Sequence, residues 1–291
     1  MDVIERAVNA HCEGVIVEPV GGSAVGVLVL AGSSGRIETD RCRLLARTGM
    51  TALSIRWFGG EGQPAGICEI PLETFSTAID LLRSKGAKRI GVLGASKGAE
   101  AALLLAVHDP RVDAVVALSP TSVVWANVGP GSDGKTYPYR SSWTWRGEPV
   151  PFVSYDDSWA PVETPGEPTA CRTLYERSRR ASDEAARQAV IPVERSTAEI
   201  LLVAGGDDEM WPSLLFAQEL ASRRAAAGGT ARVISAADAG HRPRLPGEGP
   251  AAPSHRFRYG GTAEADADLG AKAWPAVVGL LAGPVVLGSW C

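Results

Sequence analysis

The sequence predicts one α/β domain with a mostly parallel central sheet flanked by helices, interrupted by an inserted stretch. Two observations carry this. Short apolar runs alternate with helical patterns over most of the 291 residues, as expected when helices cover both faces of a parallel sheet. From Thr121 to about Ala189 that rhythm fails, and Pro, Gly, Ser, Asp and Trp take over.

In chain order, the predicted strands are Val27 to Leu30, Thr51 to Ile55, Arg89 to Leu93, Ala114 to Leu118, Ile200 to Ala204 and Ala231 to Ser235. Each is short and apolar, as strands buried on both faces are. Between them, "PLETFSTAIDLLRSKG" opens with Pro71, lines Leu72, Phe75, Ile79 and Leu82 along one face, and stops at Gly86, which spells a helix with its start and stop signals. "DRCRLLARTG" and "SLLFAQELASRRAAAGG" end in glycine in the same way. The inserted stretch, 121–195 with its run into the next strand, holds Trp125, Trp143, Trp145 and Trp159, four of the eight tryptophans. So many aromatics argue against disorder, and an ordered lid over a site is expected. The whole chain, 1–291, reads as one domain.

Bulk properties exclude several functions. A formal net charge of -4 gives no field for nucleic acid. The cysteines Cys12, Cys42, Cys68, Cys171 and Cys291 are odd in number and scattered, which fits neither a metal site nor a disulfide framework and suggests a reducing compartment. "MDVIERAVNAHCEG" lacks the apolar run of an export signal, so a cytoplasmic protein is expected. "AWPAVVGLLAGPVVLGSWC" contains Pro275 and Pro284 and is read as a final helix packed on the sheet, not a membrane span.

The chemistry centres on "IGVLGASKGAEAALLLA". A strand runs into Ser96 between Gly94 and Gly98, and a helix follows, the strand-turn-helix setting of a nucleophile elbow in an α/β-hydrolase fold. A serine hydroxyl needs a base to take its proton, and the base needs an acid to orient it. In that fold their order is serine, acid, histidine. His11 and His108 come too early. His241, in "AADAGHRP" just after a predicted strand, is preferred to His255 in a later polar loop. At the strand end "ILLVAGGDDEMWPS" Asp208 is preferred to Asp207, which reads as a turn residue, and to Glu209. Backbone N–H donors for a developing oxyanion are expected from Lys97, next to the serine, and from Ser33 in "VLVLAGSSGR". The latter loop lacks the Gly-Lys-Ser/Thr of a phosphate cradle. Trp143 and Trp145 in the insert, with Trp211 beside the acid, are expected to form a substrate-binding wall.

These segments resemble the C-terminal catalytic domain of the acyl-CoA thioesterase and bile-acid-CoA:amino-acid N-acyltransferase family, a relative of the dienelactone hydrolases. "GVLGASKGAE" resembles its elbow, "RWFGGEGQP" the loop after an early strand, "IPVERSTAEILLVAGGDDEMW" its acid segment, "DAGHRP" its histidine loop and "YGGTAEADADLGAKAWPAV" its closing helix, from Gly14 to Leu281. The resemblance implies a triad of Ser96, Asp208 and His241, no metal or redox cofactor, and an acyl-CoA or acyl-carrier-protein thioester as substrate. Mammalian-type members carry an N-terminal β-sandwich domain, and little chain precedes Val27 here. The N-acyltransferases use cysteine at the nucleophile position, so Ser96 aligns this chain with the thioesterases. An N-acyltransferase or a dienelactone hydrolase-type esterase remains the alternative, and a catalytically silent scaffold is disfavoured by the ordered set of three. Arg177, Arg179, Arg180, Arg242 and Arg244 either contact anionic phosphates or form a solvated face. Oligomeric state is not legible.

Overall fold

The computed structural model describes residues 1–9, 12–161 and 166–284; His11 and Cys291 lie outside them. The strands are β1 (Val3–Val8), β2 (Gly14–Pro19), β3 (Val25–Leu30), β4 (Thr51–Ile55), β5 (Ile70–Pro71), β6 (Arg89–Ala95), β7 (Ala114–Leu118), β8 (Trp143–Trp145), β9 (Glu148–Pro149), β10 (Thr169–Ala170), β11 (Glu199–Gly205), β12 (Ala231–Ala236) and β13 (Phe257–Arg258). Eight of them form the main sheet in the order β1-β2-β4-β3-β6-β7-β11-β12. It is parallel from β4 to β12, while β2 runs antiparallel to both β1 and β4. This is the predicted α/β-hydrolase architecture, and all six predicted strands lie in the sheet.

The β1–β2 hairpin was not legible. β1 is an edge strand whose residues VIERAV are mostly exposed, so it carries charges where an inner strand carries apolar runs, a common guard against edge pairing. β2 is buried throughout but is short and sits among polar neighbours.

The helices are α1 (Thr39–Arg47), α2 (Glu73–Ser84), α3 (Lys97–His108), α4 (Arg172–Ala181), α5 (Asp183–Gln188), α6 (Ser213–Ala226) and α7 (Ala263–Ala282). Cys42 and Leu45 of α1 and Leu269, Ala273, Val277 and Leu281 of α7 pack with Val27, Val29, Val116 and Val203 on one face of the sheet. Phe75, Ile79 and Leu82 of α2, Leu103 of α3 and Ala217 and Leu220 of α6 pack with Leu28, Val92, Val115 and Leu202 on the other. Alternate residues of one strand thus enter opposite cores. The closing helix packs on the sheet, with Pro275 inside it, and no helix of the described residues is long and apolar enough to cross a membrane.

The inserted stretch forms a third apolar cluster. Val123, Trp125, Val153, Cys171 and Tyr175 pack with Trp211 and Phe216, and short pairs tie the stretch elsewhere: β8 beside β5 and β9, β10 beside β13.

Candidate active site

Ser96, Asp208 and His241 stand where parallel strands end: Ser96 directly after β6, Asp208 three residues past β11, His241 in the loop after β12. In a parallel α/β sheet the carboxyl edge is where ligands bind. Ser96 is forced into φ 54°, ψ -121°, a conformation that costs a non-glycine residue roughly 1–3 kcal/mol and persists only where its surroundings over-determine it. They do so here. A Cβ on Gly94 would meet the Gly98 carbonyl oxygen at 2.1 Å, and one on Gly98 would meet the Ala31 oxygen at 2.3 Å. Strand, helix and the end of β3 therefore press together around the serine. The Ser96 N–H donates to the Leu118 carbonyl at 2.9 Å, tying the turn to β7.

A continuous hydrogen-bonded chain joins the three side chains. Ser96 Oγ lies 2.9 Å from His241 Nε2, and His241 Nδ1 lies 2.8 Å from Asp208 Oδ2. Asp208 is fully buried and His241 is 6% exposed. The other carboxylate oxygen of Asp208 accepts the N–H groups of Met210 and Trp211 at 2.9 and 3.1 Å, so only Oδ2 faces the imidazole. A carboxylate can only accept, which places the neutral imidazole's proton on Nδ1 and leaves Nε2 as acceptor for the serine hydroxyl. Asp207 is exposed and accepts the Gly261 N–H at 2.9 Å, lacing two loops together. His255 is exposed, and His108 stacks on Trp145 at 4.9 Å at the far end of α3.

The histidine is held by groups that the sequence pattern did not flag. Ser119, itself at φ 48°, donates its hydroxyl to the His241 carbonyl at 2.8 Å. The Gly240 N–H donates to Asp266 Oδ1 at 2.7 Å, and the His241 N–H to the Tyr259 carbonyl at 2.9 Å. The imidazole ring stacks on Tyr259 at 5.8 Å and meets the edge of Trp211 at 5.2 Å. Ser119 sits at a strand's carboxyl end, the one signal that marks it in sequence. Burial pushes the Asp266 carboxyl above the usual carboxylate range, against the lowering influence of the Gly240 N–H and of Arg242.

For the expected oxyanion donors, Lys97 is the first residue of α3, whose opening N–H groups have no intrahelical acceptor. Ser33 lies in the exposed turn after β3, and the preceding Gly32 runs so close to the serine that its Cβ would stand 3.7 Å from Ser96 Oγ.

The three tryptophans expected to bind substrate differ in their surroundings. Trp143 is wholly enclosed, packed between Trp57 and Phe75, with its indole N–H donating to Glu100 at 2.8 Å. Trp145 lies against His108, one 12-residue helix length from Ser96, roughly 18 Å at 1.5 Å per residue. Trp211 touches His241 but is 1% exposed, and its indole N–H donates to the Ser119 carbonyl at 3.2 Å. Trp143 and Trp211 are thus buried and Trp145 is half-buried. Of the arginines, Arg177, Arg179, Arg180 and Arg244 pair with Asp156, Glu219, Glu176 and Glu248, while the Arg242 guanidinium lies 4.1 Å over the Tyr259 ring.

A cavity of about 700 Å³ opens beside α6, lined by Ser122, Arg179, Glu219 and Arg223 among others, but by none of Ser96, Asp208 and His241. The hydrogen-bonded chain, and not this cavity, marks the candidate site. Among the described residues no group of three or more His, Cys, Asp or Glu is placed to hold a metal ion.

The family model described as BAAT / acyl-CoA thioester hydrolase C terminal matches residues 70–282. The chain is 28% identical over 213 residues to acyl-coenzyme A thioesterase 2, mitochondrial, of Mus musculus, covering 72% of this chain and 43% of that protein. To acyl-coenzyme A amino acid N-acyltransferase 2 of Rattus norvegicus it is 26% identical over 247 residues, covering 81% and 53%. The chain thus spans about half the length of the curated relatives it matches. In structure it is similar to a dienelactone hydrolase-type protein of Klebsiella pneumoniae, at a TM-score of 0.60 with 15% identity over 98% of this chain and 100% of that one.

Proposed function

Because the chain belongs to the BAAT / acyl-CoA thioester hydrolase C-terminal family, we propose that it is an acyl-thioester hydrolase working through an acyl-serine on Ser96. The observation that carries this reading is the chain of 2.9 and 2.8 Å contacts from Ser96 through His241 to Asp208. Ser96 Oγ attacks the thioester carbonyl while His241 Nε2 takes its proton. The oxyanion is held by the N–H groups of Ser33 and Lys97. Collapse expels the thiolate, which His241 protonates. His241 then takes a proton from water, whose oxygen attacks the acyl-serine, and on collapse returns that proton to Ser96 Oγ as the carboxylic acid leaves. Asp208 keeps the imidazole in the working tautomer and stabilises its cation.

The thiol carrier is coenzyme A, as in the names of the thioesterase relatives; an acyl-carrier protein is the other candidate. The whole chain acts as one domain in which 121–195 forms the cap, linked to the site through the ring contacts from Tyr175 to Trp211 and from Trp211 to His241. The described cysteines Cys12, Cys42, Cys68 and Cys171 are free thiols, in keeping with a reducing, cytoplasmic setting.

The test is a panel of acyl-CoA substrates scored by free-thiol release, with Ser96→Ala as control. A second reading, transfer of the acyl group to an amine, is favoured by the similarity to the N-acyltransferase. An acyl-serine is an oxygen ester, less reactive toward amines than a thioester, so excess glycine or taurine is expected to yield little amide by mass spectrometry. Predominant amide formation would replace hydrolysis by transfer.

A further inference from the structure

A salt bridge lies buried one residue past the serine. Lys97, 1% exposed, directs its Nζ to both carboxylate oxygens of Glu100 and to Ser142 Oγ, each at 2.8 Å. Glu100, with no exposed surface, also accepts the Trp143 indole N–H at 2.8 Å and the Trp125 backbone N–H at 3.2 Å. The Ser142 hydroxyl donates in turn to the Ala126 carbonyl at 2.9 Å. All three ammonium donors are used, and three residues of the insert, Trp125, Ser142 and Trp143, converge on the first turn of α3.

Burying two charges is expensive, and apolar residues of similar volume often serve stability as well or better. Burial pulls the Lys97 ammonium down and pushes the Glu100 carboxyl up, each against the attraction of the other. Stability alone is thus a weak reason for an ion pair at this position. What it does supply is direction. The Lys97 side chain is fixed at three points, and its backbone N–H is the donor that the proposed mechanism places on the oxyanion. On the opposite side Gly98 abuts the Ala31 carbonyl, so the strained turn at Ser96 is clamped between β3 and the insert.

We infer that the Lys97–Glu100 pair is a positioning element, which registers the oxyanion-side backbone of the elbow against residues 125–143 of the insert. The inference rests on the reading of Ser96 as nucleophile. It assigns to the insert a contribution to turnover made from behind the site through hydrogen bonds to α3.

The experiment compares the unmodified protein with Lys97→Met, with the double variant Lys97→Met/Glu100→Gln, and with Ser142→Ala. Thermal midpoint, kcat, KM and the rate of Ser96 labelling by a fluorophosphonate are read for each. Lys97→Met leaves Glu100 buried without its cation and lowers the midpoint sharply. The double variant removes both charges, keeps an acceptor for the Trp143 and Trp125 N–H groups, and recovers most of that loss. Its kcat is expected to stay about 10- to 100-fold down, the scale of a misplaced oxyanion donor, with KM within about twofold and labelling slowed in parallel. Recovery of kcat together with the midpoint, or a loss confined to KM, would overturn the inference by reducing the pair to packing. If the double variant does not fold, Ser142→Ala decides: it deletes one of the three contacts, and is expected to lower kcat several-fold, whereas unchanged kcat and labelling overturn the inference. Labelling without acyl-thioester hydrolysis in the unmodified protein would sink the thioesterase reading alone, because labelling rates still report the positioning. Absence of labelling would remove the nucleophile and this inference together.

Discussion

The elbow and the insert meet at the first turn of α3, yet they are built by different means. From Arg89 to His108 every residue belongs to a strand, a tight turn or a helix, and the turn is enforced by glycines at which any Cβ would collide with backbone. From Thr121 to Arg195 short elements hang on buried side-chain hydrogen bonds and aromatic contacts, such as Trp125 against Tyr175 at 4.7 Å and Trp143 against Trp57 at 5.3 Å. A backbone-built region is rigid and tolerates side-chain change at its chemical groups. A side-chain-built region loses its shape when one anchor goes.

The largest expected effect comes from removing the proposed chemistry, at Ser96 in the rigid elbow and at its hydrogen-bonded partners. Ser96→Ala and His241→Ala are each expected to lower turnover by about 10⁴-fold or more with the fold intact, since members of such a set act as a unit. Asp208→Asn is expected to cost nearly as much, and Asp207→Asn only a few-fold, because Asp207 laces loops on the exposed side. Equal losses at the two aspartates in steady-state kinetics would move the acid. Ser96→Gly should sharpen the picture further: inactive, but with a higher thermal midpoint, because glycine relieves the φ 54° strain.

Next comes a steric contrast between the halves. Gly98→Ala drives a methyl to 2.3 Å from the Ala31 oxygen and is expected to abolish soluble expression or cost several kcal/mol. Gly134→Ala in the insert, at φ 68° with only Ala65 Cβ at 3.8 Å, should cost about 1–2 kcal/mol in chemical denaturation.

Thinning an anchor of the insert tests its side-chain-built half on a comparable scale. Trp143→Phe keeps a ring against Phe75 but leaves Glu100 without one donor, for an expected loss of about 1–3 kcal/mol, whereas Trp143→Ala should cost about 3–5. Because Trp143 is enclosed, neither should change KM in a way that depends on acyl-chain length. Chain-length dependence would open the insert to substrate and break the contrast.

The smallest expected effect concerns pH. The Asp266 carboxyl is held above its ordinary range by burial, so the folded state binds its proton more tightly than the unfolded chain. Its unfavourable contribution is absent in acid, grows as pH rises from the ordinary carboxylate value to the raised value of the folded state, and is constant above that. Asp266→Asn keeps an acceptor for the Gly240 N–H and should flatten that slope in a stability-against-pH series.

The sequence by itself determined the α/β order, six strands of the sheet, and the strand ends at which Ser96, Asp208 and His241 stand. These depend on local rules: apolar runs for doubly covered strands, glycine where Cβ is excluded, and chain order. Tertiary structure alone decided where the tryptophans went and that Lys97 turned inward to Glu100. The pair is visible in "SKGAE" as two charges three apart, a spacing equally at home on a solvated helix face. Whether such a pair is buried depends on what covers it, and the cover comes from residues 125–143. For the same reason the charged β1 strand became legible only once β2 was seen to pair with it: edge pairing and burial are properties of neighbours distant in sequence, and no window of local pattern contains them.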